Sequence, residues 1–250
     1  MTESTLESLD PQVEIQWSVY AEHYDAMCSV NPSYESMLTL VLDKVLQLKL
    51  PDNARILDVG AGTGNLLLRI ARELPDSEIV HLDMDNGMNR WAKKKYDETG
   101  ISNISIAETQ FLSWLPGDQK FDLILSTNAL YAIHPHEDAL AKLNSLLKKE
   151  GNMVLVDFGR KQNTNDWLWY IAKSSIKSNG IKSTAKIFKE NWEAARQNRR
   201  TTAAQENGYY WLHNTQEFAS ELIGAGFEVY ELERCYRGYS DLAVCKKMKE

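Results

Sequence analysis

The sequence predicts an α/β fold in which helices cover both faces of a mostly parallel β-sheet. Short apolar segments alternate with amphipathic helical segments between residues 55 and 158, and this alternation is typical of buried parallel strands joined by helices. The chain has 250 residues, of which 43% are hydrophobic and 25% charged. This composition is typical of a folded protein, and the length is sufficient for one such domain with a sizeable core.

Two amphipathic helices are predicted before the first strand. Apolar residues recur at spacings of three and four in Val13–Ser29 and again in Tyr34–Leu48, and this spacing places them on one helix face. Asn31-Pro32-Ser33 separates the two segments, and Pro51-Asp52-Asn53 ends the second one. Residues 1–49 are therefore predicted to form an N-terminal helical extension.

The alternating core follows as five strands and three helices. The predicted strands are Arg55–Val59, Glu78–Leu82, Ile101–Ala107, Phe121–Ser126 and Met153–Phe158. The predicted helices are Asn65–Glu73, Gly87–Tyr96 and Glu137–Lys149. Because short strands alternate with helices, residues 50–159 are expected to form a parallel sheet of the Rossmann-like kind.

The alternation breaks at residues 160–213, which are amphipathic and helical in pattern. A final helix is predicted at Gln216–Ala225, followed by strands at Phe227–Arg234 and Leu242–Lys246. The last two strands can pair antiparallel across a short turn. We therefore expect a single domain over residues 1–250 with a seven-stranded sheet, an antiparallel last strand, a helical lid insertion at 160–213 and a closing helix and hairpin at 214–250.

A glycine-rich loop follows the first strand. Asp58 and Val59 end the strand, and Gly60, Gly62 and Gly64 precede a helix. Glycines accept positive φ and allow a ligand to approach the backbone closely, and the helix N-terminus offers free N–H groups. Such a loop at the carboxyl ends of parallel strands predicts a nucleotide-like ligand.

Two carboxylates narrow the choice of ligand. Asp83 ends the second strand, where a carboxylate can accept both hydroxyls of a ribose. The nicotinamide fingerprint has a third glycine where this chain has Asn65. Asp58 would oppose a pyrophosphate but suits a cationic amino-acid group. The charges favour S-adenosylmethionine, with a nicotinamide oxidoreductase as the alternative.

Ile56–Leu66 resembles motif I of the class I S-adenosylmethionine-dependent methyltransferases. Later segments are similar to those of the family as well, over about residues 50–160 and 215–247: Leu82–Asp85, Phe121–Ser126, Leu146–Val156 and Ala225–Phe227. The resemblance implies methyl transfer to an O, N or C atom of a small organic acceptor, with S-adenosylhomocysteine as product. A catalytically silent protein or partner subunit that binds the cofactor is the second hypothesis.

The resemblance also implies which residues bind the cofactor. Asp58 would place the methionine amino group and Asp83 the ribose, while Met84 would lie against the adenine. The glycine loop would line the main chain and the sulfonium end through Gly60, Ala61 and Gly62, and Gly64 is also expected among the cofactor-binding residues.

Two further cofactor contacts follow the third and fourth strands. Glu108, Thr109 and Gln110 compete for the adenine amino group, with the Phe111 N–H as a donor to the ring. Asn128 and Ala129 would lie beside the reactive methyl. Families that methylate DNA bases or protein glutamine carry a proline pair at that position. Its absence here disfavours those substrates.

Candidate catalytic residues come from two segments. Tyr20 and Tyr24 belong to a segment that resembles one closing over the cofactor in many small-molecule members, and the alternative is one apolar face of a packed helix. Tyr131 and His134 follow the fourth strand. The spacing of His134 and His136 around a proline lacks further ligands nearby, so no metal site is expected.

The insertion is basic and aromatic. Residues 160–206 hold ten basic and four acidic residues, a formal charge of +6, which leaves −13 for the rest of a chain whose total is −7. A solvated basic face is one interpretation. The other is a lid over the acceptor, with aromatic walls and basic groups that meet an anionic or aromatic substrate. An RNA-binding face is the least favoured.

Cysteine usage and charge indicate the compartment and the partners. Cys28, Cys235 and Cys245 fit neither a zinc site nor a disulfide framework. Neither a signal peptide nor a membrane-spanning segment is predicted, so a cytoplasmic location is expected. The acidic balance disfavours nucleic acid as a partner, and the oligomeric state stays open.

Overall fold

A computed structural model describes residues 17–190 and 200–248, except for the side chains of Val19, Tyr20 and Glu22. The helices are α1 (Trp17–Ser29), α2 (Pro32–Gln47), α3 (Asn65–Glu73), α4 (Asn86–Thr99), α5 (His136–Leu146), α6 (Thr164–Glu190) and α7 (Thr215–Gly224). The strands are β1 (Arg55–Val59), β2 (Glu78–Asp83), β3 (Ile104–Glu108), β4 (Phe121–Thr127), β5 (Leu147–Phe158), β6 (Phe227–Cys235) and β7 (Ser240–Lys247).

The strands form one seven-stranded sheet in the order β3-β2-β1-β4-β5-β7-β6. The first five strands of this order are parallel, and β7 runs antiparallel to both of its neighbours. The predicted sheet with its antiparallel last strand is therefore confirmed. The strand order reverses between β1 and β4, and ligands of open α/β sheets bind at the carboxyl ends of strands beside such a switch point.

The core consists of two apolar layers, one on each face of the sheet. Along β1, Ile56 points into the layer that α2 and α3 cover, whereas Leu57 points into the layer of α5 and α7. Both side chains have no exposed surface. Burial of one large aliphatic side chain contributes about 1.5–3 kcal/mol, so this alternation anchors the strand that carries the glycine loop.

The predicted element boundaries agree with the structure at β1 and α3 and differ at α5. The prediction that this helix extends to Lys149 and that the next strand begins at Met153 is wrong. The helix ends at Leu146, and β5 begins at Leu147. Leu147 is buried and pairs with Phe121 across an irregularity in the β4–β5 ladder. Sheet pairing therefore prevails over a helical sequence pattern here.

The insertion is helical over most of its described part. The long helix α6 is interrupted at Gly180, which has φ 77°, and residues 200–206 are helical as well. Residues 207–213 are not helical and return towards the sheet, where the Trp211 N–H donates to the Tyr131 carbonyl at 3.0 Å. Trp192, Arg196 and Arg199 of the predicted lid lie outside the described residues. Within the described chain, no helix is long and apolar enough to cross a bilayer.

Candidate active site

The glycine loop between β1 and α3 has three residues with positive φ. Gly60, Gly62 and Gly64 have φ values of 72°, 57° and 76°. A Cβ at Gly60 would lie 2.3 Å from the Ala129 Cβ, and one at Gly64 would lie 2.1 Å from the Tyr96 hydroxyl. A Cβ at Gly62 would meet no described atom within 4 Å. The first and third glycines are therefore needed for packing, whereas Gly62 faces open space that a ligand can enter.

The loop borders a cavity of about 380 Å³ at the carboxyl ends of β1, β2 and β4, which we call the cofactor cavity. Most of the cofactor-binding residues predicted from the sequence line this cavity. They are Asp58, Gly60, Ala61, Gly62, Asp83, Met84, Gln110, Phe111, Asn128 and Ala129. The topology thus gathers residues from the ends of β1 and β2 and from the loops after β1, β2, β3 and β4 into one wall.

Two residues of the predicted set lie outside this lining. Gly64 is turned towards Tyr96, and its role is close packing of α3 against α4. The Glu108 carboxylate accepts hydrogen bonds from the Asn86 and Asn89 side chains at 3.1 and 3.3 Å. Because Glu108 is held towards α4 in this way, Gln110 and not Glu108 borders the cavity.

Asp83 connects the ends of β1 and β2. Its Oδ2 accepts a hydrogen bond from the Gly62 N–H at 2.8 Å, and its Oδ1 accepts one from the Asp85 N–H at 2.9 Å. Burial raises the pKa of Asp83, and these N–H donors oppose the rise. The carboxylate is therefore held in place and keeps lone pairs for a ligand hydroxyl.

Asp58 is the second carboxylate of the cofactor cavity. It is 2% exposed, and its Oδ1 is buried without a hydrogen-bond partner among the described residues. Burial and then the nearby Asp83 raise the pKa of Asp58 to about 7. A buried carboxylate that lacks a partner is costly, and a ligand ammonium group would remove that cost. The residues present therefore fit the amino-acid moiety of S-adenosylmethionine.

A second cavity of about 130 Å³ adjoins the first, and we call it the aromatic chamber. The two cavities share five lining residues, namely Trp17, Tyr24, Tyr34, Asn128 and Tyr131. Further rings come from the end of β5, from α6 and from the turn between β6 and β7: Phe158, Trp167 and Tyr236. Among the described residues, no Asp, Glu, Lys, Arg or His side chain lines this chamber. The basic contact that the lid interpretation of the insertion predicts is therefore not found in its described part, whereas the alternative of a solvated basic face does not require it.

The predicted catalytic residues occupy different positions. Tyr24 and Tyr131 lie on the wall shared by the two cavities, whereas His134 lines only the cofactor cavity. Burial lowers the pKa of His134, so the imidazole is neutral near pH 7. The backbone of Tyr20 lies in α1, and its side chain is outside the described part.

Asp25 connects α1 to the glycine loop. Its Oδ1 accepts hydrogen bonds from Thr63 Oγ1 at 2.7 Å and Asn65 Nδ2 at 2.9 Å. Its Oδ2 pairs with Lys95 Nζ at 2.6 Å. Asn65 also donates to the Tyr34 hydroxyl at 3.2 Å. The residue that replaces the third glycine of the nicotinamide fingerprint thus joins α1 and α2 to the cofactor loop.

Several wall residues were not assigned to the site from the sequence. Tyr34 was interpreted as a helix start and Tyr236 as part of a hairpin turn, and Phe158 as a strand end. Their side chains meet only because α2, β5 and the β6–β7 turn converge on one edge of the sheet. The one local sequence signal for this aromatic wall was the high aromatic content of the insertion, which included Trp167.

Comparison with known proteins places the chain in a family. A family model described as a methyltransferase domain matches residues 50–216. A malonyl-[acyl-carrier protein] O-methyltransferase of Geobacter sulfurreducens is 32% identical over 142 residues, which cover 56% of this chain and 50% of that protein. A trans-aconitate 2-methyltransferase of Variovorax paradoxus is 28% identical over 123 residues, which cover 49% of this chain and 46% of that protein. The chain thus spans about half the length of the curated relatives it matches.

Solved structures agree with the fold. The N-methyltransferase NodS of Bradyrhizobium japonicum, crystallised with S-adenosylhomocysteine, superposes with a TM-score of 0.60 at 15% identity, covering 88% of this chain and 89% of that one. At that identity the similarity concerns the fold alone. The family model, however, covers more than half of this sequence. The chain therefore belongs to the methyltransferase-domain family, as a class I S-adenosylmethionine-dependent methyltransferase.

Proposed function

We propose that this protein transfers a methyl group from S-adenosylmethionine to a small organic acceptor bound in the aromatic chamber. The observation that carries the proposal is the wall of five residues shared by the cofactor cavity and the aromatic chamber. One cavity presents buried carboxylates and a glycine loop, and the other presents aromatic rings. Two different ligands could therefore lie side by side across Tyr24, Asn128 and Tyr131.

The cofactor cavity offers a group for each part of the methyl donor. Asp58 would pair with the ammonium group, since its buried Oδ1 lacks a partner among the described residues. Asp83 would accept the ribose hydroxyls with the lone pairs that its two backbone donors leave free. Met84, Gln110 and Phe111 would enclose the adenine. When bound, S-adenosylmethionine supplies an electrophilic methyl group on a positively charged sulfonium.

The protein's part in methyl transfer is orientation, because an in-line displacement depends on the position of the attacking atom. Tyr131 is suited to this role. It is 3% exposed, and its ring packs edge to face against Phe158 and Tyr210 at centroid distances of 5.4 and 4.9 Å. Tyr24 faces Tyr34 in the same way at 5.9 Å. We assign contact with the acceptor to Tyr24 and Tyr131.

His134 is our candidate base for an acceptor whose reacting group extends into the cofactor cavity and must lose a proton there. Its lowered pKa keeps the imidazole able to accept a proton at neutral pH. It lies on the wall of the cofactor cavity, and its ring contacts the Tyr209 ring at a centroid distance of 5.3 Å. An acceptor that is nucleophilic without losing a proton would not need this residue.

The experiment that tests the proposal measures turnover directly. The protein is incubated with methyl-labelled S-adenosylmethionine and fractions of a metabolite extract, and S-adenosylhomocysteine is measured by mass spectrometry. We expect its formation to depend on a fraction that carries the acceptor and to be lost in Asp83→Ala. Tight cofactor binding without transfer to any fraction would instead support a catalytically silent binding protein. Calorimetric binding of NAD alone would support an oxidoreductase.

The organisation and location of the chain are part of the same proposal. Because β6 and β7 complete the sheet begun by β1, we propose one domain with residues 50–159 as cofactor-binding core and 160–213 as lid. Cys28, Cys235 and Cys245 are free thiols, which is typical of a reducing compartment and supports a cytoplasmic location.

A further inference from the structure

The aromatic chamber has a chemical character that restricts its occupant. Two charged side chains beside the chamber, Arg237 and Asp166, pair with each other. The Arg237 guanidinium lies over the rings of Trp167 and Tyr170 at 4.8 and 4.2 Å, and it pairs with Asp166 at 2.8 Å. In the described lining a charged acceptor would find no protein side chain as counter-ion, and burial of a charge without one is costly.

The volume and the aromatic walls of the chamber match a single ring. Its volume is about 130 Å³, close to that of an engineered apolar protein cavity of about 150 Å³ that binds benzene. Aromatic walls favour a flat partner, which they contact through faces and edges. The rings that line the chamber are Trp17, Tyr24, Tyr34, Tyr131, Phe158, Trp167 and Tyr236.

Several polar groups of the chamber wall already have protein partners. The Asn31 side chain caps α2 and donates to the Tyr236 hydroxyl at 3.2 Å. The Asn128 Oδ1 accepts a hydrogen bond from Ser240 at 2.9 Å. By contrast, Trp167 Nε1 is buried without an acceptor in the described part of the chain. Since Trp167 is 8% exposed and lines the chamber, this N–H is available to a ligand that enters the chamber.

We propose that the methyl acceptor is an uncharged compound with one six-membered ring and an oxygen atom that accepts a hydrogen bond from Trp167 Nε1. This inference rests on the proposed function and names its substrate class. Three independent observations on the described residues support it, namely the lack of charged side chains in the lining, the ring-sized volume and the indole N–H without an acceptor. Trp167 is then a residue that determines specificity, supplied by the insertion.

Three probes of similar shape test whether the chamber prefers an uncharged ligand. Benzamide, benzoate and benzamidinium share a ring and a planar substituent, and they carry charges of 0, −1 and +1. Each is titrated by ligand-observed NMR into protein saturated with S-adenosylhomocysteine. We expect benzamide to bind at least about 10-fold more tightly than either ion, which is about 1.4 kcal/mol. Equal or tighter binding of an ion, or no binding of any probe, would overturn the inference.

The first step of this titration separates the two proposals. If the protein fails to bind S-adenosylhomocysteine, the proposed function itself is contradicted. If it binds the cofactor product and then prefers benzoate or benzamidinium, only the substrate class is wrong. The comparison uses the unmodified protein, so no variant has to fold for it to be decisive.

A pair of tryptophan variants tests whether Trp167 Nε1 donates a hydrogen bond to the ligand. Trp167→Phe removes the indole N–H and keeps an aromatic ring, and we expect it to weaken benzamide binding about 5-fold and toluene binding less. Trp169→Phe is the matched control on the same helix, since Trp169 is 65% exposed, and it should change neither. Equal loss for both probes, or no loss, would remove the donor role. Affinity for S-adenosylhomocysteine checks that each variant is folded.

Discussion

The backbone N–H of Gly62 donates a 2.8 Å hydrogen bond to Oδ2 of Asp83, which lies 21 residues later in the chain. This bond joins the glycine loop after β1 to the end of β2. The shape of the loop therefore depends on the same carboxylate that we expect to bind the ribose.

Substitution of Asp83 by Ala should weaken binding of S-adenosylhomocysteine by roughly 1.5–3 kcal/mol, or about 10- to 150-fold, because hydrogen bonds to a charged group are lost. Isothermal titration calorimetry measures this directly. Asp97→Ala is the control, since that carboxylate is exposed and pairs with Lys93 on α4. An unchanged affinity in Asp83→Ala would remove the residue from the site.

Alanine substitutions at three glycines should separate packing from ligand contact. Gly117→Ala measures the cost of positive φ alone, about 1–2 kcal/mol, because its Cβ would meet no described atom within 4 Å. Gly62→Ala should cost a similar amount of stability and also lower cofactor affinity. Gly60→Ala should destabilise more, because its Cβ would overlap that of Ala129.

Thermal unfolding with and without S-adenosylhomocysteine distinguishes the three glycine variants. In Gly62→Ala the ligand should raise the melting temperature less than in the unmodified protein, while Gly117→Ala should respond normally. A normal ligand response in Gly62→Ala would show that the open space beside this glycine is not used by the cofactor.

Asp58 should make stability without ligand depend on pH. Folding raises its pKa from the ordinary 3.8 to about 7, so within that window the folded state holds a proton that the unfolded state has lost. Stability contributed by this group therefore falls as pH rises through the window and is constant below it. Asp58→Asn should remove this dependence, which urea unfolding across the window measures. A parallel pH profile in the variant would contradict the assignment.

The same titration should appear in ligand binding. If Asp58 pairs with the cofactor ammonium group, binding at about pH 6 requires the carboxyl to release its proton. Calorimetry in buffers of different ionisation enthalpy should then show proton release that Asp58→Asn abolishes. Identical heats in all buffers would argue against this pairing.

His213 should be essential for stability. Its buried imidazole lies 3.7 Å from the carboxylates of both Asp157 and Asp241, and neither carboxylate has exposed side-chain surface. Both acids have other partners, because Asp241 pairs with Arg160 and Asp157 accepts the Tyr131 N–H. Removing the fully buried imidazole still leaves a void between them, so His213→Ala should cost about 2–5 kcal/mol. His136→Ala, at a more exposed histidine, is the control. A loss below about 1 kcal/mol in urea unfolding would contradict this view of the cluster.

The same cluster explains why part of the site could not be predicted from the sequence. Asp157 Oδ1 accepts the Tyr131 N–H at 3.1 Å, so a residue at the end of β5 helps to position a residue that follows β4. Pairs of this kind depend on strand order. Local spacing and composition carry no signal for them.

The sequence by itself determined the strand–loop–helix unit at Arg55–Glu73, the sheet class and the preference for S-adenosylmethionine. Those features depend on local properties, namely apolar periodicity, glycine conformation and the charge of Asp58 and Asp83. Only the tertiary structure decided that Gln110 and not Glu108 borders the cofactor cavity, because the Asn86 and Asn89 amides hold Glu108 towards α4. The aromatic chamber likewise depends on the tertiary structure, because its residues are distant in sequence and become neighbours only when the helices and strands pack together.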